Sequence, residues 1–213
     1  MLFITLMLAS AILVNRILDF HGIFEPGGIL VFPLTYFFGD IIAEVYGYKI
    51  SRHILWCGLF CQFIFALLIY FVLKLPVSPF FHSDSAFHVL LSHLPEYALT
   101  FTIGTIAGGF LNIYLVSKFK ILCLGKYFWI RSLTSTGFGE ALFTIITLSP
   151  ILLMHNSLSH VIQILISAYI FKLCYGFVFI VPASLLTYFL KRSEQIDVYD
   201  YGTNFNPFIL SAN

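Results

Sequence analysis

The chain has 213 residues, 60% hydrophobic and 10% charged, with a net charge of +1 and a mean hydropathy of +0.96. An average soluble domain is about 45–50% apolar and about 25% charged, so a soluble fold of this size would leave apolar surface it cannot bury. That composition excludes a cytosolic enzyme domain and a disordered chain, and 11 Lys and Arg against 10 acids leave no basic face for nucleic acid.

A spanning helix needs about 20 mostly apolar residues. In chain order such stretches cover 2–20, 29–48, 54–73, 97–116, 132–154 and 161–190. They predict an all-α integral membrane protein, a single domain over 1–213 with six transmembrane helices surrounded by lipid. Met1 leads directly into an apolar run with no basic start and no A-x-A site, which reads as a retained helix and not a cleaved signal. The stretch 161–190 is long enough to require tilt, and Pro182 is a candidate bend within it. Connections are short except 74–96, which holds Pro76, Pro79, Pro95 and three His. Cys57, Cys61, Cys123 and Cys174 lie in or beside apolar runs without ligands nearby, so they read as small apolar residues; no metal and no cofactor is expected. Six of the seven His fall on the face poor in Lys and Arg or on its loops, which suits interfacial placement.

Six spans put the N-terminus, 49–53, 117–131 and the C-terminal tail on one side. That side carries Lys49, Arg52, Lys118, Lys120, Lys126, Arg131, Lys191 and Arg192, and the other carries Lys74. The asymmetry predicts that both termini are cytoplasmic. Three helices per half would make related halves inverted, and 29–48 and 132–154 are the second helix of each.

Ionisable groups at membrane depth are costly and mark function. Arg16, Asp40, Glu44, Glu140 and Lys172 all fall inside predicted spans. Asp40 and Glu44 share a helix face with Pro33, Tyr36, Phe37, Gly47 and Tyr48. At about 1.5 Å per residue, Asp40 and Lys172 lie near the midplane and Glu140 about 12 Å from its cytoplasmic end. Two readings stand together: internal pairing of these acids with Lys172 or Arg16, and a polar cavity lined by carboxylates. The run Ser132-x-Thr134-Ser135-Thr136-Gly137-x-Gly139-Glu140 suits a half-unwound helix beside a cavity, or hydroxyls bonding back to their own helix. Gly104-x-x-x-Gly108 with Gly109 predicts close helix packing, and Asn15 and Asn112 interhelical hydrogen bonds. No H-E-x-x-H, G-x-S-x-G or Walker A pattern is present.

The second helix, Phe32-Pro33-Leu34-Thr35-Tyr36…Asp40…Glu44-Val45-Tyr46-Gly47…Arg52, resembles the signature of the queuosine precursor transporter family, also called the VUT family. Agreement continues through Asn112 and Ser117-Lys118-Phe119-Lys120, then Trp129-x-Arg131…Ser135-Thr136-x-x-Gly139-Glu140. It ends with Lys172…Pro182 and the tail Glu194-x-x-Asp197-Val198-Tyr199-Asp200…Asn204-Phe205-Asn206-Pro207-Phe208. Phe143 and Gly109 depart from the pattern, at positions where other members carry an acid. The resemblance implies a six-helix inner-membrane importer of 7-deazaguanine bases, not an enzyme. These bases are 7-cyano- and 7-aminomethyl-7-deazaguanine, precursors salvaged for the tRNA nucleoside queuosine. By motif, the implied substrate-binding residues are Tyr36, Asp40, Glu44, Asn112, Arg131, Ser135, Glu140 and Lys172.

A deazaguanine presents an N–H and an amino group side by side, and one carboxylate accepts both. Asp40 or Glu44 is the expected acceptor, with Glu140 binding a second polar group or balancing Lys172. Phe32, Tyr36, Phe37, Phe138 and Phe143 are candidate stacking faces. Proton coupling, passive exchange with trapping, and docking on an ATP-driven module all fit. The alternative from another class is a membrane-embedded metal-dependent enzyme, with Asp40 and Glu44 holding Mg²⁺ against a lipid or isoprenoid.

Overall fold

A computed structural model describes residues 1–20, 23–78, 80, 82–153 and 158–209. Pro79, His21, His155 and the last residue of the stretch 132–154 lie outside them. The elements in order are α1 (Leu2–Leu13), a hairpin of β1 (Ile17–Phe20) and β2 (Ile23–Pro26), a 3₁₀ turn (Gly27–Leu30), and α2 (Phe32–Leu73). Then come α3 (Asp84–Leu91), α4 (Leu94–Gly104), a π-helical segment (Thr105–Gly109), α5 (Phe110–Leu122), α6 (Phe128–Leu153) and α7 (Leu158–Glu194). Among the described residues three helical stretches are long and apolar enough to cross a membrane: Gly27–Leu73, Tyr97–Leu122 and Leu158–Glu194.

Two boundaries correct the sequence reading. The helix expected over 2–20 stops at Leu13 after 12 residues, about 18 Å against the roughly 30 Å of a bilayer core. The apolar residues beyond it pair as antiparallel strands, Ile17 opposite Pro26 and Phe20 opposite Ile23. This puts Arg16 outside any helix and exposed, so it is not the buried counter-charge expected of it. Secondly, the break between the helices expected at 29–48 and 54–73 falls at Gly47, and 49–53, expected as a connection, is helical within α2.

Gly47 has φ +83°, a conformation that costs an L-residue about 1–2 kcal/mol. The interruption frees buried backbone groups, and each needs a partner. The C-terminal tail supplies them. Val198 N–H donates to the Val45 carbonyl at 3.1 Å, the Asp200 carboxylate accepts Tyr48 N–H at 2.9 Å, and Lys120 donates to the Glu44 carbonyl at 2.5 Å. The tail continues along the second half of α2. Arg52 donates to the Asn206 carbonyl at 2.8 Å and the Trp56 indole to the Pro207 carbonyl at 2.7 Å.

Around this frame α2 packs on α1, α5 and α7, and α6 on α4, α5 and α7. Phe3, Met7, Tyr48, Leu55, Leu59, Phe110, Ile113 and Val116 form one buried cluster, and Ile41, Val45 and Ala183 another. The Gly-x-x-x-Gly segment packs as expected. A Cβ on Gly108 would strike the Gly139 carbonyl of α6, and one on Gly139 would stand 2.8 Å from the Gly108 carbonyl. The unwinding expected at 132–140 does not occur, since α6 is helical throughout Phe128–Leu153. Three of its hydroxyls have partners without freeing backbone: Thr134 returns to the Ile130 carbonyl, while Ser132 and Thr136 reach across to α2.

Candidate functional site

Three polar layers follow α2 from its break toward its start. In the layer at Gly47, the fully buried Glu44 takes Arg131 in a two-pronged pair, Nη1–Oε2 2.6 Å and Nη2–Oε1 3.0 Å, and Lys191 of α7 at 2.7 Å. Lys191 also pairs with Asp197 of the tail at 2.8 Å, and Lys120 reaches the same carboxylate at 2.6 Å. Partial burial pushes Asp197 up, but the hydrogen bonds and charges of Lys120 and Lys191 outweigh it and hold this carboxyl below its usual value. Arg131 fits because its fork matches both oxygens of Glu44 at once. This layer joins α2, α5, α6, α7 and the tail.

One turn along α2 lies Asp40, buried like Glu44. Asn112 Nδ2 donates to it at 2.6 Å and Thr136 at 2.9 Å, and Ser132 donates as well. Three donors from α5 and α6 therefore hold one carboxylate from α2.

The third layer centres on Lys172 of α7. It pairs with Glu140 at 2.9 Å and donates to Thr144 at 2.9 Å. Its ammonium lies 4.9 Å from the Phe143 ring centroid and 5.5 Å from that of Phe32, within cation–π range. Phe32 and Phe143 stack at 4.3 Å, and Phe101 and Tyr36 meet them edge-on. Glu140 Oε1, the Tyr36 hydroxyl and the Ser135 hydroxyl are buried without a hydrogen-bond partner. Unpaired polar atoms at such depth are expensive.

A cavity of about 350 Å³ opens onto this third layer. Lys172, Phe32, Phe101 and Phe143 form one end, and its walls come from α1, the hairpin, α4 and the distal half of α2. Two of its lining residues escaped the sequence reading: Glu25 on β2 and Gln62 on α2. Glu25 is placed by Gly27 and Gly28, which bring the chain against the end of α1. A Cβ on either would come within 2.9 Å of a carbonyl oxygen of α1. The available sequence signal for Gln62 was a lone amide within the apolar run 54–73. Glu25 was hidden in what read as a short connection.

The structure thus gathers Tyr36, Glu140 and Lys172 at the cavity end, Asp40, Asn112 and the nearby α6 hydroxyls in the middle, and Glu44 with Arg131 at the break. Among the expected residues Lys172 lines the cavity directly. Of the expected stacking faces, Phe32, Tyr36 and Phe143 cluster. Phe37 packs on Phe38 and Phe179 instead, and Phe138 is 58% exposed on the outer face of α6. Among the described residues no group of three or more His, Cys, Asp or Glu is placed to hold a metal.

A largely apolar cavity with Glu25 and Lys172 in its lining lies among helices long and apolar enough to cross a membrane. Compared with known protein families, residues 26–188 match the one described as "putative vitamin uptake transporter", and the chain belongs to that family. Neither the curated proteins nor the solved structures give a match.

Proposed function

We propose that this membrane protein imports 7-deazaguanine bases, the precursors of queuosine, across the bacterial inner membrane. In this reading 49–53, 117–131 and the C-terminal tail face the cytoplasm, and the cavity faces outward. The observation that carries the reading is the cavity end. An aromatic pair, Phe32 and Phe143, sits beside a buried ammonium and a carboxylate with one oxygen unpaired. A volume of about 350 Å³ falls in the range of small-molecule sites. A planar base stacks against the aromatic set, its carbonyl accepts from Lys172, and its donor edge reaches Glu140 Oε1.

Asp40 and Glu44 take a different part from the one their motif first invites. Every oxygen of both already accepts a hydrogen bond. They close the passage between the cavity and the cytoplasmic side, with Asn112, Arg131, Lys191 and the tail as partners. Ser135 and Tyr36 stand between the two regions as unpaired groups that a moving ligand meets. A Mg²⁺ enzyme built on Asp40 and Glu44 would need the oxygens these donors occupy.

The test uses bacteria that lack both their own precursor synthesis and their own importer. The chain is expressed, a 7-deazaguanine base is supplied at nanomolar concentration, and queuosine in tRNA is assayed. Restored modification that is lost in Glu140→Gln supports the reading. Membrane-resident protein with no restoration would sink it.

A further inference from the structure

We propose that Glu25, with Gln62 beside it in the lining, forms an outer subsite that takes a cationic amine, so that the ligand is a planar base carrying a protonated aminomethyl arm. The inference rests on the uptake reading above and selects among its substrates.

Glu25 is fully buried, on the two-stranded hairpin of β1 and β2. Ser167 of α7 donates to its Oε1 at 2.8 Å, and Oε2 has no donor. Gln62 is 2% exposed, with its side-chain oxygen also unpaired, and the Thr147 hydroxyl is a third unpartnered atom on the same wall. Glu25 Oε2 and Gln62 Oε1 can only accept, and the Thr147 hydroxyl can donate one hydrogen bond, so unpaired acceptors outnumber free donors in this lining. It also lacks positive charge. The charged residues lining the cavity are Glu25 and Lys172, and the charge of Lys172 is already paired with Glu140, two of its three N–H groups going to Glu140 and Thr144. Counting Glu140, the region holds two acids for one base. An ammonium supplies both missing elements, three donors and one positive charge. Lys172, Glu25 and Gln62 all line this one cavity of about 350 Å³, so one ligand uses both ends of the set. Its ring occupies the aromatic end while its arm reaches the acid.

The experiment compares uptake of 7-aminomethyl-7-deazaguanine, which is cationic, with 7-cyano-7-deazaguanine, which is neutral, in the same cells. The expected result is a preference of roughly ten- to hundredfold for the amine in the native chain, the size of one charge-assisted hydrogen bond. In Glu25→Gln that preference collapses toward parity while nitrile uptake stays within about twofold. Glu25→Asp keeps part of the preference. The nitrile serves as a folding control inside each variant. Equal handling of both bases by the native chain overturns the subsite while leaving the import reading intact. So does a Glu25→Gln variant that loses both bases together. Uptake of neither base by membrane-resident native protein overturns both.

Discussion

The Asp200 carboxylate accepts the backbone N–H of Tyr48 at 2.9 Å, so a residue 152 positions away caps the half of α2 that restarts after Gly47. Two residues earlier on the tail, Val198 N–H closes the other side of the break on the Val45 carbonyl. The tail is therefore part of the helix interruption. Without it, the positive-φ glycine would leave backbone groups open beside the buried Glu44 layer.

Removing the cap has a calculable consequence. Asp200→Ala leaves Tyr48 N–H without its acceptor, and loss of a helix N-cap costs about 1 kcal/mol, up to about 2. Thermal unfolding of the purified protein in detergent should show a lower midpoint for Asp200→Ala and a smaller drop for Asp200→Asn, which keeps an acceptor oxygen. Equal midpoints for Asp200→Ala and the native chain would mean Tyr48 finds another partner.

Asp197 gives the same region a pH signature. Its carboxyl is held below its ordinary value of about 3.8 by Lys120 and Lys191, against the opposing effect of burial. A depressed folded-state value means the anion stabilises the folded state. That contribution is complete above the unfolded value of about 4 and is lost as the pH falls through the lower folded value. Asp197→Asn should therefore be less stable than the native chain at pH 6–7, with the gap closing below about pH 4. A gap that persists unchanged at pH 3 would remove the ion pairs as its cause.

What the sequence made legible follows from energy. Asp40, Glu44, Glu140 and Lys172 stood out because a charge in an apolar run is costly enough to need a reason, and all four are buried and partnered. Their partners were harder to read. Arg131 sits at the end of an apolar stretch, where a cation usually meets headgroups, and its pairing with Glu44 depends on how α6 crosses α2. Residues 17–20 looked like more helix because Ile, Leu and Phe serve a strand as well as a span, and only their pairing with 23–26 decides. Gly47 read as one more small residue on a face. Its role emerges from the tail that docks on it, a contact between residues about 150 positions apart.

Asp40 predicts a chemical asymmetry. Its carboxylate faces donors from Asn112, Ser132 and Thr136. In Asp40→Asn one oxygen becomes an NH₂ group, which opposes a donor unless a neighbour reorients, and a buried unsatisfied group costs about 1–3 kcal/mol. Base uptake should fall at least tenfold while the protein remains in the membrane. Native uptake by this variant would show that the middle layer tolerates a broken network.

Glycine contacts separate packing from patterning. Gly108 meets the Gly139 carbonyl and Phe143, whereas Gly39, on the motif-bearing half of α2, has nothing within 4 Å of an added Cβ. Overpacking costs about 1–3 kcal/mol, and here the obstacle is backbone. Gly108→Ala should lower the yield of folded protein and its unfolding temperature. Gly39→Ala should match or slightly exceed the native chain, because alanine favours helix over glycine by about 1 kcal/mol. Reversal of that order would mean the π-helical segment and α6 are not held at this contact.

The Glu140–Lys172 pair tests whether buried charge at the cavity end serves stability or the ligand. Both side chains are buried and paired at 2.9 Å. Breaking a buried pair by removing one partner costs about 3–5 kcal/mol, whereas replacing both with apolar groups of similar size is often neutral. Glu140→Leu and Lys172→Met alone should therefore each destabilise the protein strongly, and the double variant should recover most of the loss. Uptake should not recover with it, because the double variant has neither the ammonium nor the unpaired carboxylate oxygen that the base would use. A double variant that regains stability and transport together would reduce the pair to a structural device and move the binding face elsewhere along the cavity.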